Sequence, residues 1–185
     1  MMWPLAYGSV HDLNILRDGY SDFGYRRKRY VHTGVDLTAP AGTSVVAVAD
    51  GKVLLITDFT GPVAGSDWWL PTKAVIIEHD FGVVLYGELD PEEKLVYVNK
   101  GARNEEKTVR KGQVLGCVAC IRKDPLPVVV NAQLHVEYWQ NAEAVLRQYE
   151  FGKEKLPYDW PLDGKRPEGL MDPKLFLLDC VQTGE

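Results

Sequence analysis

Between Ser44 and about Tyr138 the chain is a succession of short β-prone runs, and this pattern limits the fold more than any other feature. The runs are Ser44–Asp50, Lys52–Thr57, Lys73–His79, Val83–Leu89, Lys94–Val98, Gln113–Val118 and Gln133–Trp139, with Gly, Pro and Asp between them. Strands at this spacing favour an antiparallel sheet or sandwich over a helix-crossed parallel sheet. Asp50-Gly51 reads as a hairpin turn between the first two runs, and Asp80-Phe81-Gly82 as the break between the third and fourth. Two short helices are expected after the strands. One runs from Ala142 to about Tyr149 with Asn141 as its cap, and one follows Asp172-Pro173. The expectation is one mainly β domain over 1–185. Its β core would cover 23–138, with a helix-and-loop extension over 139–185.

Composition narrows the function. The 185 residues carry a net charge of −5, which argues against nucleic acid as a partner. The one basic run, Arg26-Arg27-Lys28-Arg29, reads as a solvated loop. No run approaches the length of a membrane span. The first residues lack the basic and apolar regions of a signal peptide, so the sequence reads as cytoplasmic by default. Export by an unusual route, a phage origin or a longer precursor would place it outside. Three cysteines do not make a disulfide framework, and Cys117 and Cys120 read as small buried thiols. Oligomeric state is left open.

Of the four histidines, two have informative neighbours. His32 and Asp36 are four apart in a segment too rich in Gly and Val, and too close to Pro40, for a helix. In an extended segment an even separation still puts both on one side. In Gln133-Leu134-His135-Val136-Glu137 a strand would present Gln133, His135 and Glu137 together. Two imidazoles and a carboxylate form the three-ligand set of a catalytic zinc site with one open position. By spacing alone, a satisfied core histidine is the commoner fate of such residues. His79, at the end of a β run, reads as structural, and His11 as a surface residue.

Several stretches together resemble the lysostaphin-type, or LytM-like, zinc metallopeptidase family. They are Phe-Gly-Tyr-Arg at 23–26, His-Thr-Gly-Val-Asp-Leu at 32–37, Ala-Pro-Ala-Gly-Thr at 39–43 and Val-Ala-Val-Ala-Asp-Gly-Lys-Val at 46–53. Further along come Val-Ile-Ile-Glu-His at 75–79, Val-Arg-Lys-Gly-Gln-Val-Leu-Gly at 109–116, Gln-Leu-His-Val-Glu at 133–137 and Asp-Pro-Lys-Leu-Phe-Leu at 172–177. The resemblance implies a compact β fold with a groove over a zinc held by His32, Asp36 and His135. It also implies cleavage of short peptide bonds, often glycyl, in bacterial peptidoglycan. Peptide or peptidoglycan is thus the implied substrate or ligand.

Two departures from the family pattern matter. The first histidine of its His-x-His motif is Gln133 here, and the second helper histidine, in a Tyr-x-His-Leu strand, is Glu88. A Glu88 carboxylate near the metal could serve as general base, and a Gln133 amide could donate to an oxyanion. On a regular strand Val84, Tyr86 and Glu88 share one face, which would put Tyr86 on the groove. Trp68 and Trp69, adjacent in a loop, suit a groove wall, and Glu137 could orient a zinc-bound imidazole. The alternative reading is a catalytically degenerate, metal-retaining binding or regulatory module, as in the leukocyte chemotaxins, a vertebrate branch of the family. A biotinyl- or lipoyl-carrier reading, suggested by Gly51-Lys52-Val53 and Lys-Gly-Gln-Val-Leu-Gly at 111–116, needs an exposed lysine at a hairpin tip, but Lys52 follows the turn glycine instead of sitting in the usual carrier motif.

Overall fold

The computed structural model describes residues 1–6, 19–95, 108–121, 132–149 and 160–182. Among them are nine strands, paired antiparallel throughout. They are β1 (Val35–Thr38), β2 (Ser44–Val46), β3 (Gly51–Thr60), β4 (Thr72–His79), β5 (Gly82–Pro91), β6 (Thr108–Val109), β7 (Val114–Val118), β8 (Gln133–Trp139) and β9 (Leu170–Met171). The main path runs β1-β8-β5-β4-β3-β6, with β2 on β7, β7 also on the end of β5, and β9 on β8. Two helices, α1 (Ala142–Tyr149) and α2 (Lys174–Gln182), follow β8 and β9 respectively. No helix among the described residues is long and apolar enough to cross a membrane.

Alternation along the central strands gives the sheet two faces, and both are covered. Val35 and Leu37 of β1, Val75 and Ile77 of β4, Val84 and Tyr86 of β5, and Leu134 and Val136 of β8 enter one buried cluster. Ala74, Ile76, Val83, Leu85 and Trp139 enter a second, completed by Val145 of α1 and by Leu170. The caps expected from sequence are in place. Asn141 Oδ1 accepts from the Ala144 amide at 3.0 Å, and Asp172 Oδ1 from the Lys174 amide at 2.9 Å.

The β4–β5 hairpin closes as expected, with His79 opposite Gly82. The hairpin expected at Asp50-Gly51 does not form. β2 pairs with β7, whereas β3 starts against β6, so the chain changes partners at this corner. Asp50 holds the corner: its Oδ1 accepts from the Lys111 amide at 2.7 Å and its carbonyl accepts from His79 Nδ1 at 2.9 Å. Lys94–Val98 and His11 lie largely or wholly outside the described residues. The cysteine expectation is also corrected. Cys117 is half-buried and Cys120 exposed, because the chain leaves β7 after Val118, and both line an open cavity beside Asp90.

Candidate metal centre

His32, Asp36 and His135 converge. The face that packs Val35, Leu37, Leu134 and Val136 into the first cluster turns Asp36 and His135 the other way. Asp36 and His135 are direct partners in the β1–β8 register. His32 arrives from the ribbon 24–32, whose arms are tied by Gly24 N–H to His32 O and His32 N–H to Tyr25 O, each at 2.9 Å. His32 Nε2 lies 3.1 Å from Asp36 Oδ1 and 3.2 Å from His135 Nδ1, and His135 Nδ1 lies 2.8 Å from Asp36 Oδ1. A tetrahedral metal with bonds of about 2.0–2.1 Å needs donors about 3.3 Å apart. The three atoms are already close to that spacing, and two nitrogens with one carboxylate oxygen suit a divalent cation.

The outer atoms of each ligand are also engaged, and this fixes which atom faces inward. His32 donates its Nδ1 proton to the Asp22 carbonyl at 2.9 Å, leaving Nε2 for the site. Asp36 Oδ2 is held by Arg27, leaving Oδ1. His135 donates its Nε2 proton to Glu137 Oε1 at 3.2 Å, leaving Nδ1. Glu137, fully buried, also accepts from Trp139 Nε1 at 2.8 Å and from the Tyr149 hydroxyl at 2.9 Å to either oxygen. Gly34 is dictated by the same crowding. A Cβ there would sit 2.3 Å from the Val136 carbonyl and 2.7 Å from His135 Nε2.

Electrostatics follow from this packing. Burial dominates at His32 and lowers its pKa. Burial opposes charge on Asp36 too, but His32 and His135 outweigh it and hold the carboxyl well below its usual range. At His135 burial is likewise outweighed, by the hydrogen bonds to Asp36 and Glu137, which push it up to about 10.

Glu88 and Gln133 stand beside the triad, with a hydrogen bond between their side chains. Glu88 is buried, and burial, followed by the nearby Asp36 charge, pushes it up to about 8. Its Oε2 is buried without a hydrogen-bond partner. Among the described residues it is the only non-glycine with positive φ, at 61°. The cause is a β-bulge. Lys73 pairs with Leu89 but Val75 with Tyr86, so Gly87 and Glu88 together oppose Ala74. At the bulge β5 exchanges one neighbour for another, from β8 over Val83–Gly87 to β7 over Leu89–Pro91.

The bulge corrects the expectation for Tyr86. Tyr86 and Glu88 do not share a face, because the left-handed residue interrupts the alternation and Leu89 falls into the same cluster as Tyr86. Tyr86 is fully buried there; its hydroxyl accepts from the Val48 amide at 3.1 Å and pairs with His79 Nε2 at 3.3 Å. It lines no groove. His79 is structural, as expected, and buried. Trp68 is exposed and Trp69 half-buried, edge to face with centroids 6.2 Å apart. The guanidinium of Arg29 sits 5.9 Å from the Trp68 ring centre.

Arg27 and Tyr149 are the residues that sequence reading passes over. Arg27 lies in the run read as a solvated loop, yet its guanidinium is on Asp36. Nothing in four consecutive cations singles it out until the turn closed by Arg27 N–H to Tyr30 O, at 2.8 Å, is known. Tyr149 is the last residue of an ordinary amphipathic helix, and no local signal marks it.

A β fold of this topology, with two histidines and an aspartate converging on one face, defines a metallopeptidase-like domain. The profile of peptidase family M23 matches residues 30–146, more than half of the chain, and the chain belongs to that family. Among solved structures it is similar to cbpa from L. salivarius REN, with 17% identity over 89% of this chain and 88% of that one at a TM-score of 0.50. It is also similar to a candidate M23 peptidase from Pseudomonas aeruginosa, with 27% identity over 58% of this chain and a TM-score of 0.39. A third is Csd3 from Helicobacter pylori, with 20% identity over 75% of this chain and a TM-score of 0.44. The match spans 37% of the Pseudomonas protein and 31% of Csd3. No curated protein matches the chain.

Proposed function

We propose that this M23 peptidase is a zinc-dependent endopeptidase acting on peptide, in particular the peptide cross-links of peptidoglycan, with altered catalytic helpers. The observation that carries the reading is the convergence of His32 Nε2, Asp36 Oδ1 and His135 Nδ1, each with its outer atom already engaged. These three atoms would hold the ion. Bound zinc supplies Lewis acidity, which polarises a carbonyl and eases deprotonation of water near neutral pH.

The remaining work falls to this chain's own side chains. Glu88 takes the proton from the attacking water through its unpartnered Oε2 and later returns it to the leaving amine. Gln133 holds the other side of the Glu88 carboxyl and has an amide to offer developing negative charge on the substrate oxygen. Glu137 orients His135, and Arg27 limits Asp36 to one inward oxygen. Trp68 and Trp69 form one wall of the substrate groove.

The test is cleavage of peptidoglycan and of glycine-rich peptides by zinc-loaded protein, wild type beside Glu88→Gln. General-base loss lowers the rate by roughly 100-fold or more, with zinc content unchanged. Equal rates in the two proteins would remove Glu88 from the mechanism. A zinc-loaded wild type that binds these peptides but cleaves none favours the second reading, a metal-retaining binding module. That reading is supported by Gln133, which has no titratable group where the family places a histidine.

A further inference from the structure

Apart from Arg27, the basic turn beside the metal centre has no part in the function so far. Arg27, Lys28, Arg29 and Tyr30 form its tip, closed by the Arg27 N–H to Tyr30 carbonyl bond and flanked by the Arg26–Val31 bridge. Arg27 turns inward to Asp36 and anchors the tip against the metal ligands. Arg26, Lys28 and Arg29 are exposed, and among the described residues none has an ion-pair partner. Three cations without an ion-pair partner among the described residues thus stand on one turn next to the site, in a chain of net charge −5. Arg29 also reaches across to Trp68, so the turn touches the β3–β4 loop proposed above as a groove wall.

The geometry points to an anion subsite on this turn, in which Arg26, Lys28 and Arg29 take carboxylates of an acidic peptide lying next to the metal centre. The inference rests on the peptidase reading and adds the substrate's charge class to it. Guanidinium groups match carboxylates two bonds at a time, and an ammonium adds a mobile point charge. A peptide fits better than a nucleic acid. The positive surface is one turn wide, the rest of the chain is acidic, and the adjoining centre belongs to a peptidase family. A local basic lip on an acidic protein also attracts an acidic chain to this one edge of the molecule.

The experiment uses two fluorescein-labelled peptide amides, Ala-Gly-Gly-Glu-Glu and Ala-Gly-Gly-Gln-Gln, binding to full-length zinc-loaded protein by anisotropy. The acidic peptide binds roughly tenfold tighter at low salt, a total that suits three exposed charge contacts, and the preference shrinks at high salt. In the triple variant Arg26→Gln, Lys28→Gln, Arg29→Gln the two peptides bind alike, while zinc content stays as in wild type. Equal binding by wild type, or a preference that survives in the triple variant, overturns the subsite. So does a single-stranded oligonucleotide that binds as tightly as the acidic peptide. Hydrolysis is followed in the same samples. Acid-selective binding without hydrolysis sinks the peptidase reading and upholds the subsite; hydrolysis of both peptides with equal binding does the reverse.

Discussion

The ligand half of the site and the helper half are built to different standards. Around His32, Asp36 and His135 every outer atom has a partner, although Arg27 Nε and Asp22 Oδ1, one step further out, are buried without a hydrogen bond. Asp22, whose carbonyl fixes His32, is paired with Lys174 at the start of α2 at 2.9 Å. Glu137, which fixes His135, is paired with Tyr149 at the end of α1. Each C-terminal helix therefore stands behind one histidine. Around Glu88 the reverse holds: a left-handed backbone, a buried carboxyl and one oxygen without a partner. Ligands whose outer atoms are all hydrogen-bonded are held in one orientation, whereas an unpartnered buried carboxyl oxygen stores free energy that a ligand or reacting group can release. The ligand half is prepared before anything binds, and the helper half is left with unused capacity.

The largest effect that separates the halves is metal content. Asp36→Ala should lose zinc almost completely by elemental analysis, where wild type holds about one ion at the three-ligand set. It also strands the Arg27 guanidinium, whose side chain is 7% exposed, and so should cost about 3 kcal/mol of stability. Glu88→Ala should retain the zinc. If both variants lose it, Glu88 is part of the ligand half and the contrast fails.

Next in size is the reach of α1 into the centre. Tyr149→Phe removes the hydroxyl that bonds both Glu137 oxygens but leaves Trp139 and His135 as donors. The freed carboxylate orients His135 less firmly, and zinc affinity should fall roughly tenfold with the fold intact. Competition with a metal chelator, alongside circular dichroism, measures both. An unchanged affinity would reduce the Tyr149 contact to packing.

The ligand half was legible in the sequence because its rule is periodic. Even spacing puts His32 with Asp36, and Gln133 with His135 and Glu137, on one side of an extended chain, and the alternation of Leu134 and Val136 says which side is buried. The helper half was less so, for the same reason. Val84, Tyr86 and Glu88 alternate without a flaw, and a glutamate gives no hint that its backbone turns left-handed. The bulge arises from tertiary demand, as β5 passes from β8 to β7, and that demand has no local signature. The Asp50-Gly51 corner misleads similarly: the dipeptide does bend the chain, but which strands it joins depends on β6 and β7. Arg27 and Tyr149 lie outside any alternating run and depend on how the ribbon and α1 fold back.

The strain at Glu88 can be measured directly. Glu88→Gly and Glu88→Ala both remove the buried carboxyl, so their difference isolates the backbone at φ 61°. Glycine adopts that conformation freely and alanine does not, so the glycine variant should be more stable by about 1 kcal/mol. Denaturant midpoints give the comparison. An alanine variant as stable as the glycine one would mean that the bulge relaxes, and that the left-handed turn is tied to the carboxyl.

His79 shows what a buried histidine does in this fold without a metal. On neutral His79, Nδ1–H donates to the Asp50 carbonyl and Nε2 accepts from the Tyr86 hydroxyl, with Phe81 stacked at 5.2 Å. Burial pushes its pKa below the ordinary 6.5, against the pull of the Asp50 carbonyl and of the Asp80 and Asp50 charges. The unfolded chain therefore takes up this proton first as the pH falls. The stability that neutral His79 confers is complete above about pH 6.5 and is lost as the pH drops through the folded value. His79→Gln should flatten this part of the acid limb relative to wild type while leaving zinc content untouched, the smallest of these effects. A variant that loses zinc would show that the two faces of the sheet are not independent, since His79 and the metal centre lie on opposite sides of β5; one that follows the wild-type limb would remove His79 from the acid limb.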